Sequence, residues 1–225
     1  DNNHQDMDMC LSRLHLTGED IPSYSADSLH LCYVSDPTSR NKLRICGSIA
    51  DGQVTSNGPL TDIPSILLSC VSHHLPILQK YSDRSVKNRT ADFSLTLNDS
   101  TFLSSVIGIP LRLHEPIEIN GSADAANNNI SITAWMPHFS FNDTEYHSSS
   151  LYAKGRSDSI EVLAQTEKMF GDIPVKVACS IPAAYSTIYP HIDWKTIGSN
   201  GTQGHISAVC RLLPEIGGNG SAYIT

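Results

Sequence analysis

The sequence predicts a mainly β protein: an elongated, curved antiparallel sheet, a folded-over β-groove, with two short inserted helices. Three observations predict it. Apolar and polar residues alternate through most of the 225 residues, the two-residue period of strands with one greasy and one wet face. Apolar residues make up 40 % and charged residues 17 %, and the shortfall is filled by Ser, Thr, Asn and Gly, which suits strands and turns better than long helices. Helical patterns do not alternate with strand patterns, which excludes a parallel βαβ architecture.

Residues 1–58 form a meander of the groove. Cys10 to Leu16 is a strand with Leu14 and Leu16 in phase with Cys10. Ser28 to Val34 sets Leu29, Leu31 and Tyr33 on one face. Lys42 to Ala50 sets Leu43, Ile45 and Ile49 against Lys42, Arg44 and Ser48, and Asp51-Gly52 signals a hairpin. Residues 59–90 hold an amphipathic helix and a linker. Asp62 can cap the helix, Pro64 fits its first turn, and Ile63, Ile66, Leu67, Val71 and Leu75 recur at spacings of three and four until Pro76 ends it.

Residues 91–225 continue the groove. Phe93, Leu95 and Leu97 share one strand face. Asn98-Asp99-Ser100 offers a turn and an N-cap for a short helix over 100–107, with Phe102, Leu103, Val106 and Ile107 apolar and Gly108 as its stop. Leu111 and Leu113, then Ile117 and Ile119, resume the alternation up to a turn at Asn120-Gly121-Ser122. Strands follow around Ile130 and Ile132, Leu151 and Ala153, Ile160 and Val162, Val175 and Val177, Trp194, and Ile206 and Ala208. About eleven strands result.

The formal net charge is −8 with no basic run, which excludes nucleic acid as a partner. No stretch reaches the 18 or more apolar residues of a membrane span. No export signal opens the chain and both ends look cut, so a segment of something longer is expected. Six cysteines, at 10, 32, 46, 70, 179 and 210, form no CxxC, and they are expected to stay unpaired, packed as small hydrophobes. GxSxG, HExxH, Walker A and dinucleotide motifs are missing. Glu115 and Glu118 flank Pro116 at a turn, and His191 and Asp193 bracket one residue; neither pair makes a catalytic constellation. No enzyme activity, cofactor or metal is expected. Seven Asn-x-Ser/Thr triplets fall mostly at turns, where Asn is favoured for its own sake.

One order of elements is familiar. A helix containing Leu75-Pro76-Ile77-Leu78 precedes FSLTLNDSTFL (93–103), GIPLRL (108–113) and EPIEING (115–121), with IDWK (192–195) before Gly204 and a strand. This resembles the AsmA-like family, in particular TamB-type translocation and assembly proteins as they occur in Bacteroidota, over roughly residues 61–225. The resemblance implies a periplasmic protein of the cell envelope, anchored in the inner membrane through a segment not present here. Its sheet would form a groove with an apolar interior that carries phospholipid acyl chains toward the outer membrane and supports outer-membrane assembly with an Omp85-type barrel. The groove lining expected on that basis is Phe93, Leu95, Leu97, Leu111, Leu113, Ile130, Ile132, Val175, Val177, Ile206 and Ala208. The competing expectation is a secreted β-sandwich binding module, an adhesin or carbohydrate-binding domain, whose two sheets would seal the apolar faces together.

Overall fold

The computed structural model describes residues 5–17, 24–35, 40–75, 84–101, 104–105, 108–156, 159–170, 173–184, 187–198, 201–212 and 222–224. Every described strand belongs to one open antiparallel sheet. In chain order the strands are β1 (Gln5–Leu16), β2 (Tyr24–Ser35), β3 (Asn41–Gly47), β4 (Ala50–Ser56), β5 (Thr90–Leu97), β6 (Leu111–Leu113), β7 (Ile117–Asp124) and β8 (Asn129–Phe141). They continue as β9 (Thr144–Gly155), β10 (Ile160–Phe170), β11 (Ile173–Ala184), β12 (Thr187–Ile188), β13 (His191–Thr196), β14 (Gln203–Ser207), β15 (Cys210–Leu212) and β16 (Ala222–Ile224). Strands next to each other in sequence are mostly next to each other in the sheet. The main departures are β6, which pairs with β8 beyond the end of β7, and β13, which pairs with β11 and β14. No second sheet among the described residues covers the apolar face, so the sealed sandwich is not the architecture.

The described residues hold sixteen strands where about eleven are expected, and four of them, β6, β12, β15 and β16, are only two or three residues long. Two Gly signals also have a different meaning. The β3–β4 turn is at Ser48-Ile49, and Gly52 lies inside β4 opposite Leu95. Gly121 lies inside β7 opposite Phe93 rather than in a turn. In both places the missing side chain makes room for a neighbouring strand, a role of strand glycines that a turn signal conceals.

The helix α1 (Ile63–His74) forms where its period predicts. Pro64 sits in its first turn, but Asp62 at the N-cap makes no side-chain capping bond. Leu75, which precedes Pro76, has left the helical region (φ −122°, ψ 85°), the conformation a following proline enforces. Of the second expected helix, Phe102, Leu103, Val106 and Ile107 lie outside the described residues. What is described is a cap and one turn: the Thr101 N–H donates to Asp99 Oδ1 (2.7 Å) and the Ser104 N–H donates to the Ser100 carbonyl (3.0 Å). The described residues therefore hold one α-helix, not two. Asp36-Pro37-Thr38-Ser39 and Gly217-Gly218-Asn219-Gly220, which read as turns in the sequence, also lie outside them.

β4 and β5 pair directly, so α1 and its linker are an insertion between neighbouring strands, not a separate body. The helix packs on the sheet's apolar face at one end of the strands. Ile66, Cys70 and Val86 are fully enclosed there with Ala91, Ala123, Ile130, Ile160 and Ala183.

All six cysteines are free. They are not all packed among apolar side chains: Cys10 and Cys46 are exposed, and only Cys70 is buried. Alternation puts Cys10 in phase with Leu14 and Leu16, but its register pairs it with the exposed His30, while Met9 and Leu11 meet Leu31 and Leu29. Arg13 takes a left-handed φ of 61° in between, a local break in the strand that simple parity cannot foresee. Burial pushes the Cys70 thiol up from 9.0 to about 11. The unfolded chain thus releases this proton earlier than the folded one, so stability falls as pH rises from about 9 to 11. The expected loss is roughly 2–3 kcal/mol, and Cys70→Val should abolish it. Urea titrations of both proteins across this range check the point, and parallel pH slopes would disprove it.

Candidate functional site

The alternation of each strand and the register between strands combine into rows that cross the sheet at right angles to its strands. In an antiparallel pair, directly opposed residues share a face. One row runs Met9, Leu31, Ile45, Gly52, Leu95, Ile119, Ala134, Leu151, Ala164, Cys179, Ile192, Ile206, one residue from each of twelve strands. The row beside it runs Met7, Tyr33, Leu43, Val54, Phe93, Gly121, Ile132, Ala153, Val162, Ile181. Neither row contains a charged residue. At about 4.8 Å per strand, the eleven steps of the longer row span roughly 50 Å.

A third row, Ala91, Ala123, Ile130, Gly155, Ile160, Ala183, is the one α1 covers. Small residues let the helix approach, and an added Cβ at Gly155 would lie 3.1 Å from His74 Nε2. The helix closes one long side of the apolar strip and leaves the two neighbouring rows open. Side chains in the middle of those rows are half-buried although no layer covers them. Neighbouring side chains within these rows shade one another. Toward β14 the shading is lost, and Ile206 is 58 % exposed.

The expected lining residues fall on this floor as follows. Phe93, Leu95 and Leu97 face it from β5; Phe93 lies over Gly121, where an added Cβ would come within 2.3 Å of the ring. Ile130 is buried beneath α1, and Ile132 packs at the edge of that cluster. Val175 is buried, Val177 pairs with Trp194, and Ile206 ends the longest row. Ala208 lies past β14, its N–H donating to the Pro190 carbonyl (3.0 Å).

Leu111 and Leu113 reach the same face by a less direct path. Leu113 pairs with Phe139, and Phe139 pairs with and stacks on Tyr146. The Lys168 ammonium lies 5.6 Å from the Tyr146 ring centroid, and Lys168 is opposite Val175. Strict parity along β8 would put Phe139 on the other face from Ile132. The switch is made by a line of irregularities: Pro137 in β8, Ser148 in β9 with φ 47°, and a register shift between Gln165 and Glu167 in β10. Proline has no N–H for the ladder, which makes it the natural point for the interruption.

The opposite face is mostly polar, although Trp135 and Leu163 are exposed on it. Arg40 pairs with Asp92, His30 with Asp8, and Asp193 Oδ1 lies 3.0 Å from His205 Nδ1. His205 Nε2 also contacts Ser207 Oγ, so serine, imidazole and carboxylate stand in hydrolase order. Asp193 is 65 % exposed there, whereas the carboxylate of a working triad is buried to orient its imidazole. These bonds tie β13 to β14. Glu115 and Glu118 are both exposed.

Parity grouped residues of β5, β8 and β11 on one face but not the continuation of that face through Met9, Ile119, Leu151, Ala164 and Ile192. Each strand's alternation was visible; which residue stands opposite which was not. No helix among the described residues is long and apolar enough to cross a membrane. No family model matches the chain, and no curated protein or solved structure matches it either.

Proposed function

We propose that this chain is part of a periplasm-spanning protein of the AsmA-like, TamB type, and that its apolar face carries phospholipid acyl chains between the inner and outer membranes. The observation that carries the proposal is the uncharged row running unbroken from β1 to β14 on an uncovered face. An exposed apolar strip of this extent marks a surface meant for a lipid or a partner. One phospholipid tail occupies about half of the ~30 Å hydrocarbon core of a bilayer. A roughly 50 Å row therefore accepts several tails in succession.

The strip's margins fit the same use. Near the β9–β10 irregularity it turns polar, where Ser149 Oγ and Thr166 Oγ1 lie 2.5 Å apart and Lys168 follows two residues later on the same face. A cation and hydroxyls at the margin suit a headgroup phosphate while tails lie on the floor. An inner-membrane anchor outside this segment and an Omp85-type barrel as outer-membrane partner complete the proposal; both rest on the resemblance of the motifs quoted above.

Leu151 sits mid-row on the open floor, so Leu151→Arg tests the path without disturbing the cluster under α1. An arginine held in hydrocarbon costs about 2.5–3.5 kcal/mol, on the order of a hundredfold in lipid affinity. Because the face is open, the guanidinium can swing toward water and the fold survives. Thr133→Arg places the same charge on the polar face. The expected outcome is loss of fluorescent phospholipid binding in Leu151→Arg, retention in Thr133→Arg, and melting temperatures close to the parent in both. Equal binding by all three proteins, or no binding by the parent, would remove lipid carriage from this segment.

A further inference from the structure

A second cluster of side chains lies on the polar face beside the β8–β9 turn. His138 on β8 is directly opposite His147 on β9. His114, between β6 and β7, is drawn beside them because the N–H groups of His114 and Glu115 both donate to the His138 carbonyl, at 3.1 and 3.2 Å. The three imidazoles stack in order 114, 138, 147, with centroids 4.2 Å apart at each step. Glu145 shares their face, its Oε2 3.9 Å from His138 Nε2 and 3.8 Å from His147 Nε2. His138 Nε2 is buried and makes no hydrogen bond among the described residues. A buried polar atom left without a partner is costly and calls for one.

We propose that His114, His138 and Glu145 form a binding site for a divalent transition-metal ion of the zinc class. One ligand atom from each lies within 4.8 Å of the others. Two imidazoles and one carboxylate form a borderline donor set that suits Zn²⁺; Ca²⁺ and Mg²⁺ take oxygen shells, and Cu(I) prefers sulfur. Zinc-to-ligand distances of about 2.0–2.1 Å bring tetrahedral ligands to roughly 3.3 Å from one another. The 3.8 and 3.9 Å separations at Glu145 therefore close with modest side-chain movement, the rings fanning out of their stack as they do. His147 or water completes the shell.

The backbone frame is suited to this. Asn142 (φ 48°) and Asp143 (φ 57°) are both left-handed, as a two-residue type I′ turn requires, and that turn fixes His138 opposite His147. His114 Nε2 lies 2.8 Å from Ser140 Oγ, an outer contact of the kind that orients a ligand ring. The site also lies beside the line where β8 and β9 exchange faces. A bound ion would staple the β6–β7 link to the hairpin at the point where the sheet's own hydrogen bonding is interrupted.

The test is Zn²⁺ binding to the full chain by competition with a chromophoric chelator, with Co²⁺ as a spectroscopic substitute. The expected result is one ion per chain, tetrahedral Co²⁺ bands with nitrogen and oxygen character, and affinity weakened more than about tenfold by Glu145→Gln and by His114→Asn. Both positions are exposed, so neither change threatens folding. His205→Asn, in the other imidazole cluster, should leave affinity unchanged. Three results would overturn the site: no one-to-one binding, unchanged affinity in both ligand variants, or Co²⁺ bands of thiolate character, which would place the ion on cysteines.

Discussion

Gly52→Val is expected to destabilise the protein by about 3 kcal/mol or more, through backbone strain and overpacking together. Gly52 has φ 143°, a conformation that residues with a side chain rarely adopt. A Cβ there would lie 2.1 Å from the Ser94 carbonyl oxygen and 2.8 Å from Leu95 Cα. Both obstacles are backbone, so neither can rotate aside. The cost falls on the β4–β5 pair, which joins the first four strands to the rest of the sheet across the α1 insertion. Gly121→Ala is the contrasting case: there the obstacle is the Phe93 ring, which can turn away, and a smaller loss is expected. Urea unfolding measures both. A Gly52→Val unfolding free energy within about 1 kcal/mol of the parent's would show that the close approach is not as described.

Ile66→Asp is expected to release α1 from the sheet. Ile66 is fully buried, and its cluster of Cys70, Val86, Ala91, Ala123 and Ile130 is apolar throughout. Truncation to alanine alone should cost about 3 kcal/mol. A carboxylate adds the burial of a charge without a partner, which the protein avoids by letting the helix leave. The loss is therefore capped by the free energy of opening α1 locally, while the sheet persists. Amide exchange should show α1 unprotected and β8 to β11 still slow. Protection of α1 equal to the parent would mean that the Ile66 contacts do not hold it.

Lifting α1 also uncovers the Ala91 row, which widens the open apolar strip. If the strip holds acyl chains, Ile66→Asp should bind phospholipid at least as well as the parent despite its lower stability, the reverse of Leu151→Arg.

The architecture was legible in the sequence because a one-sided sheet writes its face into every second residue. Leu95, Ile132 and Val177 could be assigned to a face from their neighbours alone. What was not legible depends on pairing. Asp51-Gly52 and Asn120-Gly121 carry the same letters as hairpin turns, and only the crowding from β5 shows that these glycines serve inside strands. Cys10 is exposed although alternation groups it with Leu14 and Leu16, because its partner across the ladder is the exposed His30. The histidine cluster was invisible because His114, His138 and His147 are far apart in sequence. A signal existed for two of them: a two-residue turn at Asn142-Asp143 places 138 opposite 147, once those residues are accepted as left-handed. The position of His114 depends on two backbone hydrogen bonds to His138 that no local pattern announces.

Rows perpendicular to the strands separate two dimensions of the apolar strip. Its breadth is fixed by how many alternating residues each strand contributes, and its reach by how many strands stand side by side. Adding one hairpin of the same parity would extend the strip by about 10 Å without changing its cross-section, and lengthening every strand would broaden it without extending it. A strip built this way can be lengthened by duplication of hairpins alone, and point substitutions within a strand can change its surface chemistry without altering its length.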